Sequence, residues 1–141
     1  MSLQGVKMRF LRSLLSVLSA PVIYGTLCVP LVGLLYAQVP DLVNEQGGTR
    51  NVPLLLGTEL LQLLVITLCG YAVARLAPWH LRHHLVIATV LMLVIGVSVQ
   101  LSFWEAVPVW HHYVFFACIV GGMHLGGYLR TRQLGGLPVI D

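Results

Sequence analysis

Residues 84–104 read HLVIATVLMLVIGVSVQLSFW, an uninterrupted run without aspartate, glutamate, lysine or arginine. A helix rises about 1.5 Å per residue, so about 20 apolar residues match the hydrocarbon core of a bilayer. Backbone polar groups find no water inside a bilayer, and an α-helix pairs all of them within one segment. The run therefore predicts a transmembrane helix.

Three further apolar windows occupy residues 14–37, 52–77 and 110–129, and the charged residues among them are Glu59 and Arg75 in the second. Hydrophobic residues make up 57% of the chain and charged residues 9%, whereas about a quarter of the residues in a soluble domain are charged. So few charged side chains cannot cover a water-soluble surface. We therefore expect one all-α domain over residues 1–141, a polytopic membrane protein with four transmembrane helices.

The connections at residues 78–83 and 105–109 are brief, and a short connection makes consecutive helices antiparallel neighbours. We therefore expect two antiparallel hairpins. The second and fourth predicted helices both end with glycine, tyrosine and an arginine five places after the glycine (residues 70–75 and 127–132), which fits two antiparallel hairpins related by an axis along the membrane normal. The alternative is that tyrosine and arginine are common anchors at any inner helix end.

Basic residues beside short loops stay on the cytoplasmic side of a membrane. Of the eight lysines and arginines, all except Arg50 flank the N-terminus, the 78–83 connection or the C-terminus. This distribution predicts that both ends are cytoplasmic and that the loop of residues 38–51 lies outside.

Four short stretches resemble a group of small bacterial inner-membrane proteins with four helices and no assigned function. They are residues 70–75 (GYAVAR), 100–104 (QLSFW), 108–112 (PVWHH) and 126–130 (GGYLR). The resemblance covers the second to fourth predicted helices. It implies the same multi-pass topology and a location in the bacterial inner (cytoplasmic) membrane, and it supplies no catalytic residue.

Polar residues in the outer third of the predicted membrane region are the candidate functional residues. Glu59 lies about 9 Å along its helix from the outer end, and an ionisable group at that depth is costly and usually faces the protein interior. Gln62, Gln100, His111 and His112 fall in the same layer. One hypothesis is a polar pocket or proton site in which Glu59 titrates. The alternative is that Glu59 holds helices together by hydrogen bonding while the histidines lie among lipid headgroups.

Small residues recur every fourth position in the last predicted helix, at Cys118, Gly122 and Gly126. This spacing lets two helix backbones approach closely. We expect a close helix contact at these positions, either within the chain or with a second copy. The other cysteines, Cys28 and Cys69, also fall in apolar stretches without a CxxC spacing, which indicates packing residues.

Cofactors and nucleic acid find little support in the sequence. A haem held by His84 and His124 is disfavoured, because His124 lies about 200° around its helix from Gly122 and the two positions cannot share an inward face. No metal-binding or hydrolase motif is present, and the basic residues form no stripe with interleaved aromatic residues. We therefore expect no metal, no cofactor and no nucleic-acid partner.

Two functions remain open. The first is a non-enzymatic accessory or structural subunit that packs with itself or with a larger membrane complex. The second is a small-solute or proton-linked transporter, or a binder of a lipophilic ligand, that uses the layer around Glu59. A cavity with water access near Glu59 would favour the second function, whereas a tightly packed layer would favour the first.

Overall fold

Helices make up most of the chain. The computed structural model describes residues 3–77 and 79–134, so Pro78 in the predicted second connection lies outside the described residues. In chain order the elements are α1 (Leu3–Ile23), a π-helical turn (Tyr24–Cys28), α2 (Val29–Ala37), a 3-10 turn (Pro40–Leu42), α3 (Val52–Leu76), α4 (Leu81–Ser102) and α5 (Val109–Gln133).

Within the part of the chain that the structure describes, four helical spans are long and apolar enough to cross a membrane. They are Gly5–Ala37, Val52–Leu76, Leu81–Ser102 and Val109–Gln133. The first helix begins well before the predicted window of residues 14–37, because the basic residues ahead of that window lower hydropathy without disfavouring a helix. The chain is thus an all-helical protein whose composition suits a multi-pass membrane protein.

The first span is interrupted by the π-helical turn at Tyr24–Cys28. Pro30 follows this turn and lacks the amide hydrogen that would bind the Thr26 carbonyl group in a regular helix. The Thr26 hydroxyl in turn donates to the Val22 carbonyl oxygen at 2.7 Å. Such turns change the direction in which later side chains point, and here Cys28 is buried against the other helices.

The most extensive helix contact joins α3 and α5, which run parallel and are not consecutive. It is therefore not one of the contacts within the expected hairpins. Gly70 lies against the backbone of Met123, and Gly126 lies against the carbonyl group of Thr67. The first span crosses α3 in the opposite direction, and its Ser16 hydroxyl donates to the Val73 carbonyl oxygen at 2.9 Å. Helix α4 lies antiparallel to α5 and packs its Gly96 against Phe115 and Ile119.

One end of the bundle, called here the basic end, collects most of the arginines. The guanidinium group of Arg9 lies 5.2 Å from the ring centre of Trp79, which joins α1 to the α3–α4 connection. The Tyr71 hydroxyl donates to the side chain of Gln133 at 2.8 Å. The N-terminal helix, the α3–α4 connection and the last turn of α5 therefore lie at the same end.

The opposite end, called here the loop end, is built from the 38–51 loop and the α4–α5 turn. The Asn44 side-chain amide donates to the Ala106 carbonyl oxygen at 2.9 Å, and its oxygen accepts from the backbone of Gln46 and Gly48. Gly48 packs so closely that an added Cβ would lie 2.6 Å from the Cβ of Ala106. The loop is thus fixed across the end of the bundle.

Candidate functional site

A cavity of about 240 Å³ lies beneath the loop end, with walls from all four spans. Gly47 and Gly48 of the loop form part of its lining, so the fixed loop acts as its roof. Apolar side chains such as Val32 and Phe115 line much of the cavity, and Gln62, Gln100 and His111 contribute polar groups. This mixture is typical of sites that bind small molecules.

A larger, shallow groove of about 1260 Å³ lies outside, between the loop and the α4–α5 turn, and it contains none of these buried polar groups.

Glu59 and His111 form a buried pair between α3 and α5. The Nδ1 atom of His111 lies 2.7 Å from Oε1 of Glu59, and the two residues are only 6% and 4% exposed. Among the described residues, neither Glu59 oxygen has a partner placed with hydrogen-bond directionality. The thiol of Cys118 lies beside the same carboxyl group. Of the partners that the sequence left open for Glu59, the structure therefore brings His111 to it.

Gln62 forms a second polar contact, and its partner comes from the first span. The Tyr24 hydroxyl donates to Oε1 of Gln62 at 2.9 Å. The π-helical turn supplies this tyrosine, so the irregular backbone of the first span has a direct consequence at the cavity wall. Sequence reasoning did not select Tyr24. The prolines on either side of the turn, Pro21 and Pro30, are the signal that could have pointed to it.

His112 belongs to a separate cluster between α4 and α5. Its Nδ1 atom lies 2.6 Å from Oε1 of Gln100, and its Nε2 atom lies 3.3 Å from the Trp104 carbonyl oxygen. The Trp104 ring stacks on the imidazole ring with a centroid distance of 4.3 Å. His112 is 1% exposed, so it lies inside the bundle and not among headgroups. Gln100 both holds His112 and lines the cavity.

The cavity has a side opening between α2 and α4. Val29 of α2 and Val99 of α4 both line the cavity, and they are 62% and 46% exposed. Phe103, at the end of α4, is 40% exposed and lines the cavity as well. These exposed side chains are apolar and lie on spans that suit a membrane, so lipid would contact them. The opening therefore leads to the region that lipid would occupy around the spans.

The small residues of α5 have different surroundings. Gly122 and Gly126 face α3: a Cβ on Gly122 would lie 2.9 Å from Cγ2 of Ile66, and a Cβ on Gly126 would lie 2.5 Å from the Tyr71 nitrogen. Cys118 is half-buried and lies near Glu59. The contact at the two glycines is therefore made within the chain.

The two histidines weighed for haem have different surroundings. His84 is 8% exposed and its Nδ1 atom lies 3.1 Å from the His80 carbonyl oxygen, whereas His124 is exposed on the surface of α5. Within residues 3–77 and 79–134, no three histidine, cysteine, aspartate or glutamate side chains are grouped so that they could hold a metal ion.

Comparisons of the chain with protein-family models, with curated proteins and with solved structures find no match. The geometry of the cavity and of the polar groups around it is therefore the basis for assigning a function.

Proposed function

We propose that this chain is a non-enzymatic, multi-pass membrane protein that binds a small lipophilic molecule in the cavity at its loop end. The observation that carries the proposal is a cavity lined by all four spans, with polar groups in its wall and an apolar opening between α2 and α4. A molecule dissolved in the bilayer would enter through that opening without crossing water.

The size of the cavity limits the bound part of the ligand. An engineered protein cavity of about 150 Å³ accommodates benzene. By proportion, a cavity of about 240 Å³ accommodates about ten non-hydrogen atoms, which corresponds to one or two rings. A longer apolar chain would extend through the opening between Val29 and Val99 into the surrounding lipid.

Binding is a better proposal than transport for the single chain. Toward the basic end the centre of the bundle is filled by fully buried side chains, among them Ile66, Cys69 and Met123. Transport would need a second access path on that side, and an oligomer or a large rearrangement would have to provide it. A binding site needs only the one opening.

A matched pair of variants tests the proposal. Val99→Trp places a bulky ring at the opening, while Val97→Trp places the same ring on the same helix at a residue that does not line the cavity. The two valines have nearly equal exposure, 46% and 45%. Protein purified in mild detergent would be extracted and the lipophilic molecules that co-purify identified by mass spectrometry. We expect at least a tenfold loss of one specific molecule in Val99→Trp and none in Val97→Trp. Identical extracts from all three proteins would refute the proposal.

We further propose that the chain lies in the bacterial inner membrane with both ends in the cytoplasm. The resemblance described above and the clustering of lysines and arginines at the basic end support this orientation. In a cysteine-free background, a membrane-impermeant thiol reagent should label a cysteine placed at Gln46 in intact cells. It should not label one placed after Arg132 until the membrane is opened, and the reverse pattern would contradict the orientation.

A second candidate, an accessory subunit of a membrane assembly, is favoured by one observation on α5. His124 is exposed on the outer face of the helix, beside Gly121, where an added Cβ would meet nothing within 4 Å. A polar side chain facing lipid is costly, so another protein chain would relieve that cost. Under this proposal, His124→Leu should release a stoichiometric partner, or dissociate an oligomer, in a mild-detergent pull-down, whereas Val120→Leu on the same helix should not.

A further inference from the structure

A second cavity lies at the basic end, where the first span packs beside the end of α3. Its volume is about 350 Å³, and it is lined by Arg12, Leu15, Arg75, Leu76 and Ala77. It shares no lining residue with the cavity at the loop end. We call it the basic cavity, because its two polar side chains are arginines that come from different helices.

A hydrogen bond between these two helices fixes the backbone beside the basic cavity. The Ser16 hydroxyl donates to the Val73 carbonyl oxygen at 2.9 Å, and both residues are fully buried. Ser16 lies one turn after Arg12 on the same face of α1, and Val73 lies two residues before Arg75. The fold therefore sets the separation between the backbones of Arg12 and Arg75 before any ligand binds.

Neither arginine of the basic cavity has a counter-charge in the described part of the chain. Within residues 3–77 and 79–134, no ion pair or hydrogen bond engages the guanidinium group of Arg12 or Arg75. The described carboxylates lie elsewhere, three at the groove outside the loop and one in the buried pair; they are Asp41, Glu45, Glu105 and Glu59. Two positive charges thus line one cavity, and a bound anion would relieve their repulsion.

The two guanidinium groups suit a phosphate group in particular. A guanidinium group is planar, permanently charged and presents a rigid fork of N–H donors that matches phosphate oxygens. Two such groups from different helices can contact different oxygens of one phosphate. Basic pockets between transmembrane helices bind phosphate-bearing lipid headgroups in other membrane proteins.

The apolar part of the lining favours a lipid over a free phosphate ion. Leu15 and Leu76 line the basic cavity beside the arginines and are 53% and 45% exposed, on spans that suit a membrane. A phospholipid would cover these leucines with its glycerol backbone and the first part of its acyl chains, and burial of apolar surface stabilises a complex. An inorganic phosphate ion would contact only the arginines.

We propose that the basic cavity binds an anionic phospholipid, whose headgroup phosphate lies between the guanidinium groups of Arg12 and Arg75. This site is separate from the cavity at the loop end, so it goes beyond the proposed function and does not depend on it. A zwitterionic phospholipid carries the same phosphate, but its cationic group cancels the net charge that two unpaired arginines favour. The net charge of the headgroup therefore selects the lipid.

Two lipids with identical acyl chains test the proposal, phosphatidylglycerol as the anionic lipid and phosphatidylcholine as the zwitterionic one. Each would be added in increasing amounts to the purified chain in mild detergent, and its affinity would be derived from the rise in unfolding temperature. Inorganic phosphate is a third probe, which separates a lipid from a free phosphate as the ligand. The preference is expressed as a ratio of affinities within each protein, so that a difference in stability between variants cancels.

Two double variants make the same change in net charge. Arg12→Gln with Arg75→Gln removes both guanidinium groups of the basic cavity. The control, Lys7→Gln with Arg132→Gln, removes two charges at the same end from residues that do not line the cavity. All four side chains are exposed, so both variants should fold as the wild-type protein does.

We expect the wild-type protein and the control to prefer phosphatidylglycerol about tenfold, and the Arg12 and Arg75 double variant to prefer it about twofold or less. An equal loss in both double variants would overturn the proposal by showing that only the diffuse charge of the basic end acts. Equal affinity of the wild-type protein for the two lipids would overturn it as well. If inorganic phosphate stabilises the wild-type protein as strongly as phosphatidylglycerol does, the ligand is a free phosphate and the lipid assignment is wrong. The proposed function at the loop end would stand under each of these results.

Discussion

Gly126 provides a direct test of the contact between α3 and α5. A methyl group added there would overlap the Thr67 carbonyl oxygen and would lie 2.5 Å from the Tyr71 nitrogen and 2.9 Å from the Gly70 carbonyl carbon. All of these are backbone atoms, which cannot turn aside as a flexible side chain can. Gly126→Ala therefore forces α3 and α5 apart along their most extensive contact.

The expected cost follows from two opposing terms. Overpacking typically costs about 1–3 kcal/mol, and contact with backbone places this site at the upper end of that range. The higher helix propensity of alanine relative to glycine offsets about 1 kcal/mol of this cost. Gly126→Ala should therefore lower the free energy of unfolding by about 2 kcal/mol. Gly121→Ala, on the same helix with nothing within 4 Å of the new Cβ, should be neutral or stabilising by up to about 1 kcal/mol.

Reversible unfolding in mixed micelles with increasing SDS would compare the two variants with the wild-type protein. The informative quantity is the difference of about 3 kcal/mol between the two alanine variants, since helix propensity is common to both. If Gly126→Ala proves as stable as Gly121→Ala, the close backbone contact does not exist as described. The reasoning about α3 and α5 would then be wrong.

Three further substitutions probe other contacts. Gly122→Leu should lower the free energy of unfolding by about 2–3 kcal/mol without changing oligomer size, because its new side chain would enter the α3 contact; a change confined to oligomer size would contradict this. Tyr24→Phe should lower the free energy of unfolding by about 1 kcal/mol by removing a partly buried hydrogen bond, whereas Tyr113→Phe should be neutral. Equal thermal stability of the two proteins would contradict the contact. Asn44→Ala should make limited proteolysis of the 38–51 loop several-fold faster than Gln46→Ala does. Equal cleavage rates in the two variants would show that Asn44 does not fix the loop.

The sequence by itself determined the helical spans, because a long apolar run has one way to satisfy its backbone in a bilayer. Residues 84–104, for example, lie largely within α4 (Leu81–Ser102). Glu59 could also be selected from the sequence, since an ionisable group deep in an apolar helix is costly and therefore rare.

Only the tertiary structure decided which polar groups meet. Helix packing angles and the π-helical turn set the rotation of each span, and the local sequence does not fix that rotation. In the structure Glu59 contacts His111, and Gln100 contacts His112 instead. It also brought Tyr24 to Gln62 from a distant part of the chain. The cavity and its opening between α2 and α4 exist only where these helices fail to touch, and such a gap leaves no pattern in the sequence of either helix.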